Sequence, residues 1–256
     1  MRVVYGKNPV RELLRAPGEG PSELWLAEGG TRAATLAELE RLARERGAKV
    51  RSAPKAKLDR LAGTDHHQGV VAVVADFRYA ELGDILDRAR RAGAPPLLLV
   101  LDGVGDPQNL GAMIRSAHAL GAHGVVVPRD RAVGVTPAVA KASAGAVERC
   151  LVSRVVNLAK TIDALKERGV WSVALAQDAR QPLQAVDLCG AVALVLGSEG
   201  QGLRPLVRRS CDLEARIPMA GGLDSLSVSA SAAIALYEVA RQRGVAREGT
   251  NSGFQP

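Results

Sequence analysis

Three stretches of this 256-residue chain hold the residue types and spacing from which a reactive site could be assembled. The first, DGVGDPQNLGAMIRSA over Asp102 to Ala117, sets Asn109 and Arg115 six residues apart behind a glycine-rich turn. The second, LVLGSEGQGL over Leu194 to Leu203, places Glu199 between Gly197 and Gly202. The third, IPMAGGLDSLSVSASAAIALYE over Ile217 to Glu238, passes through a Gly-Gly turn into a helix that Ser225, Ser227, Ser229 and Ser231 open and alanines continue. Such small side chains suit the close approach of another backbone. Each glycine turn follows an apolar, strand-like run, and open parallel sheets bind ligands beyond the carboxyl ends of their strands. The three turns are therefore candidates for one composite site.

Several common chemistries do not fit. GSEGQG has the wrong spacing and position for a dinucleotide turn, and no GxxxxGK[ST] is present. A serine hydrolase lacks its GxSxG, and no histidine sits in the glycine turns. His66 and His67 are adjacent and point apart, while His118 and His123 are five apart near no acidic pair, so the histidines read as structural and no metal site is expected. Cys150, Cys189 and Cys211 form no CxxC and lie within or beside apolar sequence, which reads as buried free thiols in a reducing compartment.

The elements that must position these turns follow from periodicity. Residues 1–77 alternate strand-like runs at Glu23–Leu26, Lys49–Arg51 and Gly69–Val74 with helical patterns at Pro9–Leu14, Ala33–Arg46 and Pro54–Leu61, which predicts a small α/β sandwich. Residues 78–96 (RYAELGDILDRARRAGAPP) are a short charged helix ended by Gly and Pro-Pro, read as a linker. From 97 to 246 the apolar runs Leu97–Leu101, Gly124–Val127, Trp171–Ala176 and Ala191–Leu196 lack polar alternation, as strands covered on both faces do. Helical patterns at Asn109–Leu120, Thr136–Ala142, Leu158–Arg168, Pro205–Arg209 and Ser225–Arg243 lie between or after them, which argues for an α/β domain on a parallel sheet. Residues 247–256 read as a flexible tail.

With 47% hydrophobic and 24% charged residues the composition is that of a globular protein. A net charge of +7 favours a polyanionic partner, nucleic acid first. The excess is spread, with 13 basic against 10 acidic residues in 1–77 and 16 against 13 in 97–246, so there is no polybasic tail. Neither a signal peptide nor an apolar run of membrane-spanning length is seen, and a cytoplasmic location is expected.

The motifs also resemble a known family. DPQNLGAMIRSAHALG, then LGSEGQGL, then IPMxGxxxSLxVSxxxxxxLYE are similar, in that order, to the three motifs of the SpoU or TrmH branch of the SPOUT RNA methyltransferases, over Leu97 to Arg243. VYGKNPVRELL and HHQGVVAVV, within residues 1–77, resemble the ribosomal-protein-like substrate-binding domain of the RlmB type, the ribosomal-RNA guanosine 2'-O-methyltransferases. The resemblance implies an α/β catalytic domain with a deep C-terminal trefoil knot, preceded by a small α/β RNA-binding domain. It implies S-adenosylmethionine as cofactor, held by Gly197, Ile217, Met219 and Leu226. On composition alone Ile217 and Leu226 would be ordinary core.

It further implies that Arg115 engages the ribose hydroxyl or the adjoining phosphate, with Asn109 and Glu199 orienting it and Ser225 and Ser227 completing the catalytic set. Arginine does not deprotonate at ordinary pH, so its part is electrostatic. Asn109 also suits an N-cap, whereas Glu199 has little structural purpose in a glycine turn. Ser227 stands where the family has asparagine in SLNVS, which leaves a lapsed, RNA-binding member as an alternative to an enzyme. Large-subunit (23S) ribosomal RNA is the expected partner, with transfer RNA or a resistance-type site as alternatives, and a homodimer through the knot region is expected. Arg129, Arg131, Arg149, Arg154, Arg204, Arg208 and Arg209 are candidate phosphate contacts, and 3% aromatic residues leave few platforms for stacking bases.

Overall fold

The structure, a computed structural model, describes residues 1–28, 34–221 and 225–244. The expected tail 247–256, and the start of the helix expected at Ala33, lie outside these residues. Two compact units are formed. One comprises residues 1–78, 107–115 and 134–150, the other 79–106, 116–133 and 151–256.

The first unit is built on β1 (Arg2–Tyr5), α1 (Lys7–Arg15), β2 (Glu23–Ala27), α2 (Ala34–Glu45), β3 (Lys49–Ala53), α3 (Lys55–Ala62) and β4 (Val70–Val74). Its sheet has the order β1-β4-β2-β3, parallel only between β2 and β3. Alternation sends Val4, Leu24, Leu26, Val70 and Ala72 into a core with Leu13, Leu14 and Leu39 of α1 and α2. Trp25 and Val71 face the other way and pack with Leu58 of α3. The sheet is thus covered on both faces, the sandwich expected from the sequence.

His67, inside this unit, is buried with Nε2 2.8 Å from Asp59 and Nδ1 accepting from the Gly69 N–H. Arg2 donates two hydrogen bonds to Glu148, at 2.8 and 2.6 Å, and Arg149 lies 2.7 Å from Glu12.

The second unit begins with α4 (Leu82–Arg91) and β5 (Leu97–Asp102); α5 (Pro107–Ala119) follows in the chain, its residues 107–115 belonging to the first unit. Next in the chain come β6 (Gly124–Pro128), α6 (Pro137–Ala142), which belongs to the first unit, and then β7 (Leu151–Val155), α7 (Leu158–Lys166), β8 (Trp171–Leu175), β9 (Val192–Gly197), α8 (Pro205–Ser210), β10 (Leu213–Ala215) and α9 (Val228–Gln242) of the second. The sheet order is β10-β8-β9-β5-β6-β7, every pair parallel. Every residue of β5, β6 and β9 is buried, which is why their sequences show no polar alternation. The strand order reverses between β5 and β9, so the crevice expected at such a switch opens beyond Asp102 and Gly197, which are paired in register.

Several local expectations are corrected. Strands β1, β7 and β10 were not foreseen, because each is short and broken by charged or polar residues. Helix α5 starts at Pro107, so Asn109 is in its first turn and is not the N-cap. The last helix starts at Val228, not Ser225, and Ser227 is its N-cap. Of the cysteines only Cys150 is buried; Cys211 is half-buried and Cys189 exposed.

At the amino ends of the strands, Arg243 closes the second unit. Its guanidinium donates to the carbonyls of Pro95 (2.8 Å), Pro96 (3.1 Å), Gly190 (2.5 Å) and Leu188 (3.3 Å). Nearby, buried His123 accepts from the Leu97 N–H through Nδ1 at 3.0 Å, and its backbone N–H donates to the Leu97 carbonyl.

Burial, with Arg243 and Arg88 adding repulsion, holds the His123 imidazole below its ordinary value of 6.5. An unfolded chain takes up this proton as pH falls through 6.5 while the folded chain refuses it, so the stability this histidine contributes is full above 6.5 and declines on acidification. His123→Asn retains an acceptor for Leu97 and cannot be protonated. Urea unfolding of the two proteins between about pH 5 and 7.5 should show a flatter decline for the variant.

Candidate active site

The turn after β9 is set by contact between backbones. A Cβ on Gly197 would lie 2.0 Å from the carbonyl carbon of Gly202 and 2.3 Å from the Leu203 nitrogen. No side chain fits there. Ser198 and Gly202 exchange hydrogen bonds at 3.2 and 3.0 Å, while Gly200 and Gly202 take positive φ of 79° and 65°. The turn therefore folds back on the end of its own strand.

That fold-back delivers Arg204 to Asp102, the buried last residue of β5. The carboxylate accepts from the Arg204 backbone N–H at 2.9 Å and its Nε at 2.7 Å, and lies 2.6 Å from Nη2. Asp102 was not singled out in the sequence; the signal was an acid ending an otherwise apolar run, LLLVLD.

An open cavity of about 700 Å³ lies in the second unit between this turn, the end of β8 and the start of α9. Gly197, Glu199, Ile217, Met219, Ser225, Leu226 and Ser227 all line it, so seven of the nine expected site residues are gathered in one place. Met219 and Leu226 are 39% and 40% exposed, apolar side chains presented to an open space, which ordinary core would not be. Asn109 and Arg115 are on α5, in the stretch 107–115 that belongs to the first unit. Leu110, Met113, Ile114 and Ala117 bury the inner face of this helix, and Arg115 is exposed with no ion pair among the described residues. Gly111 of α5 is another glycine without room, a Cβ there meeting Ala142 at 2.4 Å and the Ser143 nitrogen at 2.8 Å.

The amino end of α9 forms one wall. Ser227 Oγ accepts from the Ala230 N–H at 3.2 Å, and Glu199 Oε1 takes the Val228 N–H in a long bond of 3.4 Å. A helix leaves its first amides unsatisfied, and a serine cap and a nearby carboxylate both stabilise that end. Glu199 therefore has a structural task that its sequence context does not reveal. Gly222, Leu223 and Asp224 of the third motif lie outside the described residues.

Most of the arginines expected to reach for phosphate are otherwise engaged. Arg204 is tied to Asp102, Arg149 to Glu12, and Arg208, which lines the cavity, to Glu214 and Asp178. Arg154 donates to the Arg129 carbonyl at 2.8 Å. Arg131 and Arg209 are exposed and make no ion pair among the described residues. The cavity is a fair match for a nucleoside joined to a compact cation. Apolar Ile217, Met219 and Leu226 offer it a face for a ring, and its charged residues among those described are two acids, Asp178 and Glu199, against Arg208. Among the described residues there is no cluster of three or more histidine, cysteine or acidic side chains of the kind that holds a metal, and no helix is long and apolar enough to cross a membrane.

Residues 96–237 match the model of the SpoU rRNA Methylase family, and residues 3–80 the model described as RNA 2'-O ribose methyltransferase substrate binding. YacO of Bacillus subtilis (strain 168), by name a TrmH family tRNA/rRNA methyltransferase, is 44% identical over 94% of this chain and 95% of its own. The 23S rRNA (guanosine-2'-O-)-methyltransferase RlmB of Xylella fastidiosa (strain 9a5c) is 44% identical over 94% of this chain and 96% of its own. Among solved structures, the SpoU methyltransferase AviRb of Streptomyces viridochromogenes, in complex with AdoMet, superposes with a TM-score of 0.79 and 27% identity over 95% of this chain and 90% of that one.

Two substitutions probe the site's construction. Gly197→Ala should lower the unfolding free energy in urea by about 3 kcal/mol or more, because its methyl group meets backbone that cannot step aside. Ser227→Ala should cost about 1 kcal/mol while Ser227→Asn, equally able to cap, stays within a few tenths.

Proposed function

The chain belongs to the SpoU rRNA Methylase family, and from that premise we propose that it transfers a methyl group from S-adenosylmethionine to the 2'-hydroxyl of a guanosine ribose in 23S ribosomal RNA. The observation that carries this reading is the cavity itself, which brings Gly197, Ile217, Met219 and Leu226 together with Glu199, Ser225 and Ser227. The first four would hold the cofactor, which supplies a methyl group already activated on a sulfonium. Exposed apolar Met219 and Leu226 favour its adenine, and the net acidic lining favours its positive charge.

The chain's own contribution is to position and to stabilise. Orienting two reactants correctly accounts for about 7 to 11 kcal/mol of barrier in well-arranged reactions. Arg115, exposed and uncommitted, is assigned to the developing charge on the ribose oxygen or the phosphate beside it, with Asn109 six residues earlier on the same helix. Glu199 keeps the amino end of α9 in place and so holds the cavity wall. Ser227 supports an active enzyme over a lapsed one: serine and asparagine are equivalent helix caps, so its exchange for the family asparagine preserves the wall.

The same reading extends to the trefoil knot, favoured by the close passage of backbone at Gly197. It extends also to two functional domains, residues 1–77 for RNA and 97–246 for methyl transfer, to a cytoplasmic setting, and to phosphate contacts at Arg131 and Arg209. A homodimer is supported by Ile234 and Tyr237, exposed apolar side chains three residues apart on α9. Tyr237→Arg should then shift the protein toward monomer in sedimentation equilibrium, and an unchanged mass in both proteins, either monomeric or dimeric, would contradict this face.

Methylated nucleosides mapped in ribosomal and transfer RNA of a deletion strain test the substrate. Loss of one 2'-O-methylguanosine from 23S RNA is expected, and loss of a transfer-RNA mark alone would move the assignment. Arg115→Ala should reduce methyl transfer by at least about a hundredfold with cofactor affinity within about twofold of the parent. A collapse of cofactor affinity would remove Arg115 from its assigned role.

A further inference from the structure

We propose that Asp178 recognises the ribose of the cofactor's adenosine, accepting a hydrogen bond from one of its hydroxyls, and that Arg208 and Glu214 hold the carboxylate in position for this. The proposal rests on the cofactor reading above and adds to it a residue that none of the three sequence motifs contains.

The placement comes first. Asp178 lies three residues beyond the carboxyl end of β8, the strand paired in parallel with β9, and it lines the same cavity as Gly197 and Leu226. In parallel sheets that bind nucleosides, an acid beyond the neighbouring strand is well placed to take a ribose hydroxyl, while the glycine turn of the first strand receives the remainder of the ligand. The fold here differs, but the geometric relation between the two strand ends is the same.

The hydrogen bonding comes second. Arg208 Nη1 donates to Asp178 Oδ2 at 3.0 Å, and Nη2 lies 3.0 Å from Oδ1. The other edge of the guanidinium is taken by Glu214, with Nε donating to Oε1 at 2.8 Å and Nη2 to Oε2 at 2.5 Å. Glu214 already satisfies the arginine's charge, so a second carboxylate is more than neutralisation of Arg208 requires. A planar fork fixes the plane of Asp178, and each of its oxygens retains further capacity to accept. The side chain is 70% exposed in spite of that tether, available to a donor entering the cavity. Arg208 also holds the Asp178 carboxyl below its usual range, so it stays an acceptor throughout the neutral range.

Calorimetry with the full chain separates the outcomes, using S-adenosylmethionine, 5'-methylthioadenosine, which has the ribose but no amino-acid part, and the 2'-deoxy and 3'-deoxy forms of the latter. Wild-type protein should bind one deoxy form roughly ten- to a hundredfold more weakly than 5'-methylthioadenosine. Asp178→Ala, which leaves no acceptor, should weaken S-adenosylmethionine and 5'-methylthioadenosine by a similar factor and abolish the discrimination against that deoxy form. Glu214→Gln, which loosens Arg208, should give a smaller loss in the same direction.

Equal affinity of the wild type for all three nucleosides overturns the proposal without any variant. So does an Asp178→Ala protein that loses S-adenosylmethionine but keeps 5'-methylthioadenosine, since the acid would then face the amino-acid end. If wild-type protein binds neither compound, it is the cofactor reading that fails.

Discussion

The absence of room at Gly197 is the constraint from which the site follows. With no side chain at the end of β9, the chain can turn back until the Gly202 carbonyl rests on Gly197, and the intervening residues have few other ways to run. The turn then carries Arg204 onto Asp102 at the end of the adjacent strand and Glu199 to the amides that open α9. Three segments distant in sequence are thereby fixed around a single space. A glycine here serves a packing purpose, because the crowding is by backbone and the conformation itself is one that other residues adopt.

Charge is spent largely on architecture. The chain has a net charge of +7, and that surplus by itself suggested a surface for a polyanion. Yet Arg2, Arg149, Arg204, Arg208 and Arg243 are each tied to a carboxylate or to backbone carbonyls. Guanidinium groups suit these tasks, since a planar fork with several donors can join strand ends that no single hydrogen bond would hold. Fewer arginines than the count implies are left without an ion pair among the described residues, Arg115, Arg131 and Arg209 among them.

Much of this was legible in the chain. Uninterrupted apolar runs announced β5, β6 and β9 because both faces of each strand are covered, and the glycine turns marked the strand ends where the cavity lies. Less visible were features that depend on partners far away in sequence. The tasks of Glu199 and Asp102 exist only through Val228 and Arg204, and Asp178 enters the cavity from a strand outside the recognisable motifs. Strand β10, three residues long, is specified by its pairing with β8 more than by its own composition. A reading along the chain has no means of expressing a compact unit assembled from three separate segments, as residues 1–78, 107–115 and 134–150 are.

Arg243 carries an implication for how the molecule comes into being. The carbonyls it gathers at Pro95, Pro96, Leu188 and Gly190 bracket the amino ends of β5 and β9, the two central strands, and Arg243 lies 147 residues after Pro96. As the ribosome extends the chain, those strands emerge long before the residue that fastens them. The second unit cannot reach its final form until α9 has left the exit tunnel, long after the strands and helices of residues 1–78 have emerged.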